Sequence, residues 1–228
     1  KKFDAIYVES DMMKSALQRR GFENAVVMYN FKELEPLAES DIEYPKSEPY
    51  KLCTFSRVMK EKGIEDAINA VESVNAHFGR TVYTLDIFGQ IDVEYKERFS
   101  QLEKSFPDYI SYGGAIEANK SVETLKSYFA LLFPTYYKGE GFAGTLIDAM
   151  SAGVPVIASD WKYNPEFVVP GKTGVIIKNC NAERLAEELI NIAAAPEKWN
   201  SMRLSALKES EKYKPDIAAR PLIDRING

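Results

Sequence analysis

From Tyr50 onward, short apolar runs alternate with amphipathic stretches, and this alternation constrains the fold more than any other feature of the chain. Lys51 to Phe55 reads as a strand. Gly63 to Phe78 reads as a helix, because Ile64, Ala67, Ile68, Val71, Val74 and Phe78 recur on one face. Val82 to Phe88 is a second strand, ending at Gly89. Tyr95, Phe99, Leu102 and Phe106 space out the apolar stripe of a helix. Tyr109 to Tyr112 is a third strand, ending at Gly113-Gly114. Ser121 to Tyr128 reads as helix and Phe129 to Pro134 as a fourth strand. Leu146 to Ala152 is a short helix, with Gly153 at the C′ position and Pro155 just beyond. Val154 to Ala158 and Val175 to Ile177 are further strands, and Ala182 to Ala193 is a helix. Repeated strand–helix order predicts an α/β fold, a doubly wound parallel sheet. Ligands of such sheets bind outside the carboxyl ends of the strands.

The flanks are less regular. Phe3 to Val8 and Ala25 to Tyr29 read as strands around a helix capped by Asp11, running to Arg20 and stopped at Gly21. Glu33 to Tyr50, rich in Glu, Pro and Ser, reads as a linker. Pro196 starts a last helix through Met202 and Leu207, and Lys214-Pro215 breaks it, leaving a tail to Gly228. An opening at Lys1 without methionine, directly before an apolar segment, suggests a piece of a longer protein.

Composition narrows the partners. A formal net charge of −5 argues against nucleic acid, whose binders are usually basic. No apolar run approaches the roughly 20 residues of a membrane span, and no secretory signal is visible. Cys53 and Cys180 show no CxxC spacing, so both are expected as reduced thiols of a cytoplasmic protein. His77 is the single histidine, near the end of its helix. No Ser–His–Asp, Cys–His or metal-ligand spacing exists, no metal is expected, and nothing resembles a P-loop.

Three stretches fall at strand ends. The first is Ser56 to Gly63, where Arg57 and Lys62 are suited to clamp a diphosphate. The plainer alternative makes Lys60 and Lys62 solvated loop charges. The second is Lys138-Gly139-Glu140-Gly141-Phe142-Ala143-Gly144, between the fourth strand and the helix containing Asp148. A glycine-rich loop opening a helix offers free N–H groups to phosphate, and carboxylates suit sugar and ribose hydroxyls. The alternative is an ordinary strand–helix connection. Asp148 lies among apolar neighbours, so it either faces solvent or has a partner, since burying an unpaired carboxylate is costly. The third is Ser159 to Glu166, where Glu166 after Pro165 fits the first turn of a helix.

In this order the residues resemble family 4 (group 1) of the retaining glycosyltransferases, which have the GT-B fold. That family's signature is a Glu, seven residues and a second Glu, in a context like E-G-F-G-x-x-x-x-E-A-M-A-x-G-x-P-V-I-A-S. Here the run extends from Glu140 through Asp148 to Ser159. The family's G-R-x-x-x-x-K-G is matched by Ser56-Arg57 to Lys62-Gly63. The resemblance implies a Rossmann-like half of a GT-B enzyme, the half that binds the donor nucleotide sugar, over residues 46–212. Residues 1–45 would be a remnant of the acceptor-side domain with the interdomain linker, and 213–228 a C-terminal tail.

The resemblance also implies roles. Arg57 and Lys62 would bind the donor diphosphate. Glu140 and the Gly141 to Gly144 loop, through the amides of Phe142, Ala143 and Gly144, would hold the donor sugar. The amides of Thr145 and Leu146 would meet the distal phosphate. Asp148 would take the ribose hydroxyls, and Gly114, Ala115 and Ile116 would meet the base. Asp in place of the second Glu shortens the reach by one methylene, and Ala143 in place of glycine adds a Cβ beside the sugar. The expected partners are a nucleotide sugar, UDP-sugars among them, and an N-terminal domain of the same protein, with peripheral contact to the inner face of the cell membrane. A polysaccharide or glycolipid pathway is expected, with no cofactor. The alternatives are a non-catalytic nucleotide-binding or interaction module, or a GT-B epimerase or phosphorylase.

Overall fold

The computed structural model describes residues 3–227. A small parallel pair, β1 (Ile6–Val8) and β2 (Ala25–Val27), is joined by helix α1 (Asp11–Gln18). Ser10, rather than Asp11, caps α1, its hydroxyl accepting the Met13 N–H at 3.1 Å. A hydroxyl one residue outside the helix satisfies an N-terminal donor better than an acid already inside it.

The main sheet follows in strict alternation: β3 (Tyr50–Phe55), α2 (Ile64–Phe78), β4 (Tyr83–Phe88), α3 (Lys96–Glu103), β5 (Ile110–Gly114), α4 (Ser121–Leu125) and β6 (Ala130–Phe133). Then come α5 (Gly144–Ser151), β7 (Val156–Ser159), α6 (Asn164–Phe167), β8 (Gly174–Ile177) and α7 (Ala182–Ala193). Six parallel strands lie in the order β5-β4-β3-β6-β7-β8. The order reverses between β3 and β6, the switch point at which doubly wound sheets open a crevice.

Side chains alternate across the sheet and fill a core on each face. Leu52, Leu85, Ile87 and Leu132 pack with Ile64, Ile68 and Val71 of α2 and Leu185 and Leu189 of α7. Cys53, Leu131, Phe133, Val156 and Ala158 face the other way, onto Leu146, Ile147 and Met150 of α5. Asn75 of α2 fixes the entry into β4, donating to the Tyr83 carbonyl and accepting the Val82 and Tyr83 amides.

The expected last helix is two. After α8 (Pro196–Asn200) the chain turns at Ser201-Met202 before α9 (Arg203–Ser210). That turn aims Arg203 into the core, where it donates to the carbonyls of Tyr128 and Lys126. The expected tail is also helical, as α10 (Pro215–Ala218) and α11 (Arg220–Asn227). The stretch expected as a linker lies packed: Leu37 N–H donates to the Ser151 carbonyl, and Ile42 is buried. No helix among the described residues is long and apolar enough to cross a membrane.

Candidate functional site

At the switch point the turns after β3 and β6 meet. The chain leaves β3 through Arg57 and a single 3-10 turn, Lys60–Lys62, and enters α2 at Gly63. Gly63 has φ +73°, and a Cβ there would stand 2.3 Å from the Pro134 carbonyl oxygen. Only glycine lets this turn close against the end of β6.

That closure carries Lys62 over the β6 terminus. Its Nζ lies 5.5 Å from the centroid of the Phe133 ring and 5.2 Å from that of Tyr137. It pairs with both Glu140 oxygens, at 2.9 and 2.7 Å, where the two side chains are 12% and 6% exposed. Thr135 donates its hydroxyl to Glu140 Oε2 at 2.7 Å, and the Ser159 hydroxyl donates to the Thr135 carbonyl. The Glu140 carboxylate is therefore held from two strand ends at once.

The glycine-rich loop then enters α5. Phe142 anchors it from below, stacked on Phe167 with ring centroids 3.6 Å apart. The amides of Ala143, Gly144 and Thr145 have no acceptor among the described residues, as is usual at the N-terminus of a helix. The Thr145 hydroxyl donates to the Phe55 carbonyl and ties α5 to the end of β3. One turn further, Asp148 is 2% exposed and paired with Lys32, whose Nζ is 2.7 Å from each carboxylate oxygen. The Ser121 hydroxyl donates to Oδ1 at 2.7 Å. Arg57 is 59% exposed and forms an ion pair with Asp92, its Nη1 lying 3.6 Å from Oδ2.

These groups border one cleft of about 550 Å³. Of the residues singled out in the sequence, Arg57, Lys62, Ala115, Ile116, Glu140, Ala143, Gly144, Thr145 and Asp148 line it. Gly114, Gly141, Phe142 and Leu146 do not. The Leu146 amide is spent inside the turn, donating to the Ala143 carbonyl at 3.0 Å. The Phe142 amide donates to Glu9 Oε2 at 3.2 Å, and Asn30 Nδ2 donates to the Phe142 carbonyl at 2.9 Å. Glu166 does not face the cleft either. Its carboxylate accepts the Asp11 and Met12 amides, at 2.6 and 3.1 Å, capping α1 from across the molecule.

Sequence reasoning missed Lys32, Ser121 and Thr135. Thr135 lies one residue beyond Pro134 at the end of β6, so the strand-end rule that located Glu140 could also have found it. Ser121 opens α4 after β5, in a strand–helix connection like those of Lys62 and Glu140, and could have been found the same way; Lys32 carries no such signal, since it precedes the main sheet.

Known proteins are similar in both sequence and fold. Residues 38–209 match the family model described as glycosyl transferases group 1. The UDP-N-acetylglucosamine–peptide N-acetylglucosaminyltransferase GtfA subunit of Streptococcus gordonii is 30% identical over 178 residues, covering 75% of this chain and 34% of that protein. The poly(glycerol-phosphate) alpha-glucosyltransferase of Bacillus subtilis is 26% identical over 184 residues, covering 78% of this chain and 26% of that one. The chain thus spans about a third or less of the length of these two curated relatives. In fold it is similar to Anabaena Alr3699/HepE solved in complex with UDP, with a TM-score of 0.81 at 16% identity. That likeness covers 98% of this chain and 64% of the other.

Proposed function

The chain belongs to the glycosyl transferases group 1 family, and from that premise we propose that it is the donor-binding half of a retaining sugar transferase. The donor is a nucleoside-diphosphate sugar, and the transfer serves polysaccharide or glycolipid assembly. The observation that carries this reading is the convergence, at one switch point, of exposed Arg57, the Lys62–Glu140 pair and three amides at the start of α5 without an acceptor among the described residues.

In this reading the diphosphate lies across the α5 N-terminus. The bond between the anomeric carbon and the diphosphate oxygen breaks, the oxygen of an acceptor hydroxyl bonds to that carbon on the same face, and the hydroxyl proton passes to the departing diphosphate. Negative charge grows on the departing diphosphate, and preorganised cations and amides lower the barrier most where such charge develops. Arg57, Lys62 and the amides of Gly144 and Thr145 supply that stabilisation without a metal. Glu140 accepts hydrogen bonds from the donor sugar, and Lys62 and Thr135 hold it in place for this. The acceptor is gripped by a further unit of the whole protein, which works in the cytoplasm, at the inner face of the membrane when the acceptor is lipid-borne. The 228-residue chain alone binds donor and transfers nothing, because transfer needs the acceptor held against the anomeric carbon.

UDP occurs with the similar Anabaena structure, so it heads a calorimetric series with GDP, ADP and their sugars. Wild-type chain is expected to bind one nucleoside diphosphate, and Arg57→Ala to weaken it by about tenfold or more, as loss of a charge-assisted contact does. No binding across the whole series would sink the proposal. Binding that survives Arg57→Ala unchanged would favour a module that keeps the fold without the chemistry.

A further inference from the structure

Asp148 occupies the position that the donor-site reading assigns to ribose, yet its carboxylate is already spoken for. Lys32 Nζ is 2.7 Å from both oxygens and Ser121 is 2.7 Å from one. With the Asp148 side chain only 2% exposed, two ribose hydroxyls have no open approach while the ammonium stays. Lys32 itself is 28% exposed and lines the cleft. Its aliphatic stem also lies over the start of α5: a Cβ placed on Gly144 would be 3.5 Å from Lys32 Cδ and 3.9 Å from Nζ. The ammonium therefore sits on the buried Asp148 carboxylate and beside Gly144, the first residue of α5, inside the cleft that Gly144 and Thr145 also line. Residue 32 lies outside the matched family region, 38–209, so membership of the family does not assign it a role.

We infer that Lys32 is a further ligand of the donor diphosphate, which leaves Asp148 for phosphate oxygens as the ribose hydroxyls take the carboxylate over. Physically this is an exchange of partners. Lysine is a compact charge on a flexible four-carbon stem, suited to trade one anion for another nearby. The carboxylate exchanges one ammonium for two hydroxyl donors and is never left unpaired, which its burial would penalise heavily. The diphosphate gains a third cation beside Arg57 and Lys62. The inference rests on the donor-site reading above, and the exchange makes Lys32 a positioning residue for Asp148 when the cleft is free and a phosphate ligand when it is filled.

The test compares a nucleoside with its diphosphate, uridine with UDP, guanosine with GDP and adenosine with ADP, by calorimetry on the whole chain. For the base the wild type accepts, Lys32→Met is expected to cut the preference for diphosphate over nucleoside by about tenfold or more. Affinity for the nucleoside itself should hold or rise, because nothing then covers Asp148. A preference that does not change overturns the inference. So does an equal loss for nucleoside and diphosphate, which would make Lys32 only a prop for Asp148. Asp148→Asn removes the buried charge and guards against misfolding: it should keep the diphosphate preference, and Lys32→Met added to it should cut that preference by about tenfold or more, as it does alone. A wild type that binds no diphosphate would instead defeat the donor-site reading itself, a result distinct from all of these.

Discussion

Lys62 and Glu140 hold each other where water scarcely reaches, so each is a structural residue as well as a site residue. Removing one partner of a buried pair strands the other charge, at a cost of about 3–5 kcal/mol. Lys62→Met is expected to lose about 3 kcal/mol in urea unfolding, and adding Glu140→Gln should restore most of it. A double variant whose cost equals the sum of the two single costs would show the pair to be uncoupled. Arg57→Ala, at an exposed side chain, should stay within about 0.5 kcal/mol of wild type, which makes it the cleaner probe of ligand contact. The sequence located Arg57, Lys62 and Glu140 because each lies just past the carboxyl end of a strand. It could not show that Lys62 and Glu140 bind each other across 78 positions. Asp148 is a similar case. Its apolar surroundings declared that it needed a partner, but the partner lies 116 positions away in a polar stretch without period.

Two elements depend on a single residue placed outside them. The turn into α2 exists because Gly63 has no side chain. An alanine there adds the left-handed penalty of about 1–2 kcal/mol and a contact of 2.3 Å with the Pro134 carbonyl. Gly63→Ala is therefore expected to lower Tm by at least about 2–8 °C, and to weaken diphosphate binding by displacing Lys62. Helix α1 is held by Glu166, whose carboxylate occupies two of its free N-terminal donors. Losing such a cap costs about 1 kcal/mol, so Glu166→Ala should speed hydrogen exchange of the α1 amides about fivefold, with α2 unaffected. Uniform acceleration in both helices would show instead that Glu166 stabilises the molecule globally. The alternation after Tyr50 was legible because each strand and helix repeats its own period. The break at Ser201-Met202 was not, since it serves the burial of Arg203, a tertiary demand that no local pattern announces.

At the scale of the whole molecule, the two cores on the faces of the sheet set how stability responds to pH. Burial raises the phenol of Tyr83 well above its usual range. Burial also raises Tyr128, helped by its hydrogen bond to Asp86, and Tyr213, helped by the nearby Glu209. Burial pushes the Cys180 thiol up to about 12, with Asp66 and Asp160 adding to it, and raises Cys53 well above its ordinary value, with Asp86 adding to it. A raised pKa means that the native state holds the proton more tightly than the unfolded chain. The stabilisation is then complete below the unfolded value, about 8.5 for a thiol and 10 for a phenol, and drains away as pH rises above it. The acid side has the opposite sign. Burial alone would raise Glu209, but hydrogen bonds from Lys212 and Lys172 outweigh it and hold its carboxyl below the usual range. Its contribution is present above the unfolded carboxyl value and lost as pH falls through the lower native one. Urea midpoints measured from pH 3 to 11 should therefore form a plateau between about pH 5 and 8 and fall on both sides. Cys180→Ala should flatten the first part of the alkaline fall, between about pH 8.5 and 10, where only the thiols of the unfolded chain titrate. Midpoints that rise with pH across that interval would contradict the assignment, because they would require the unfolded chain, and not the sheet core, to hold the protons more tightly.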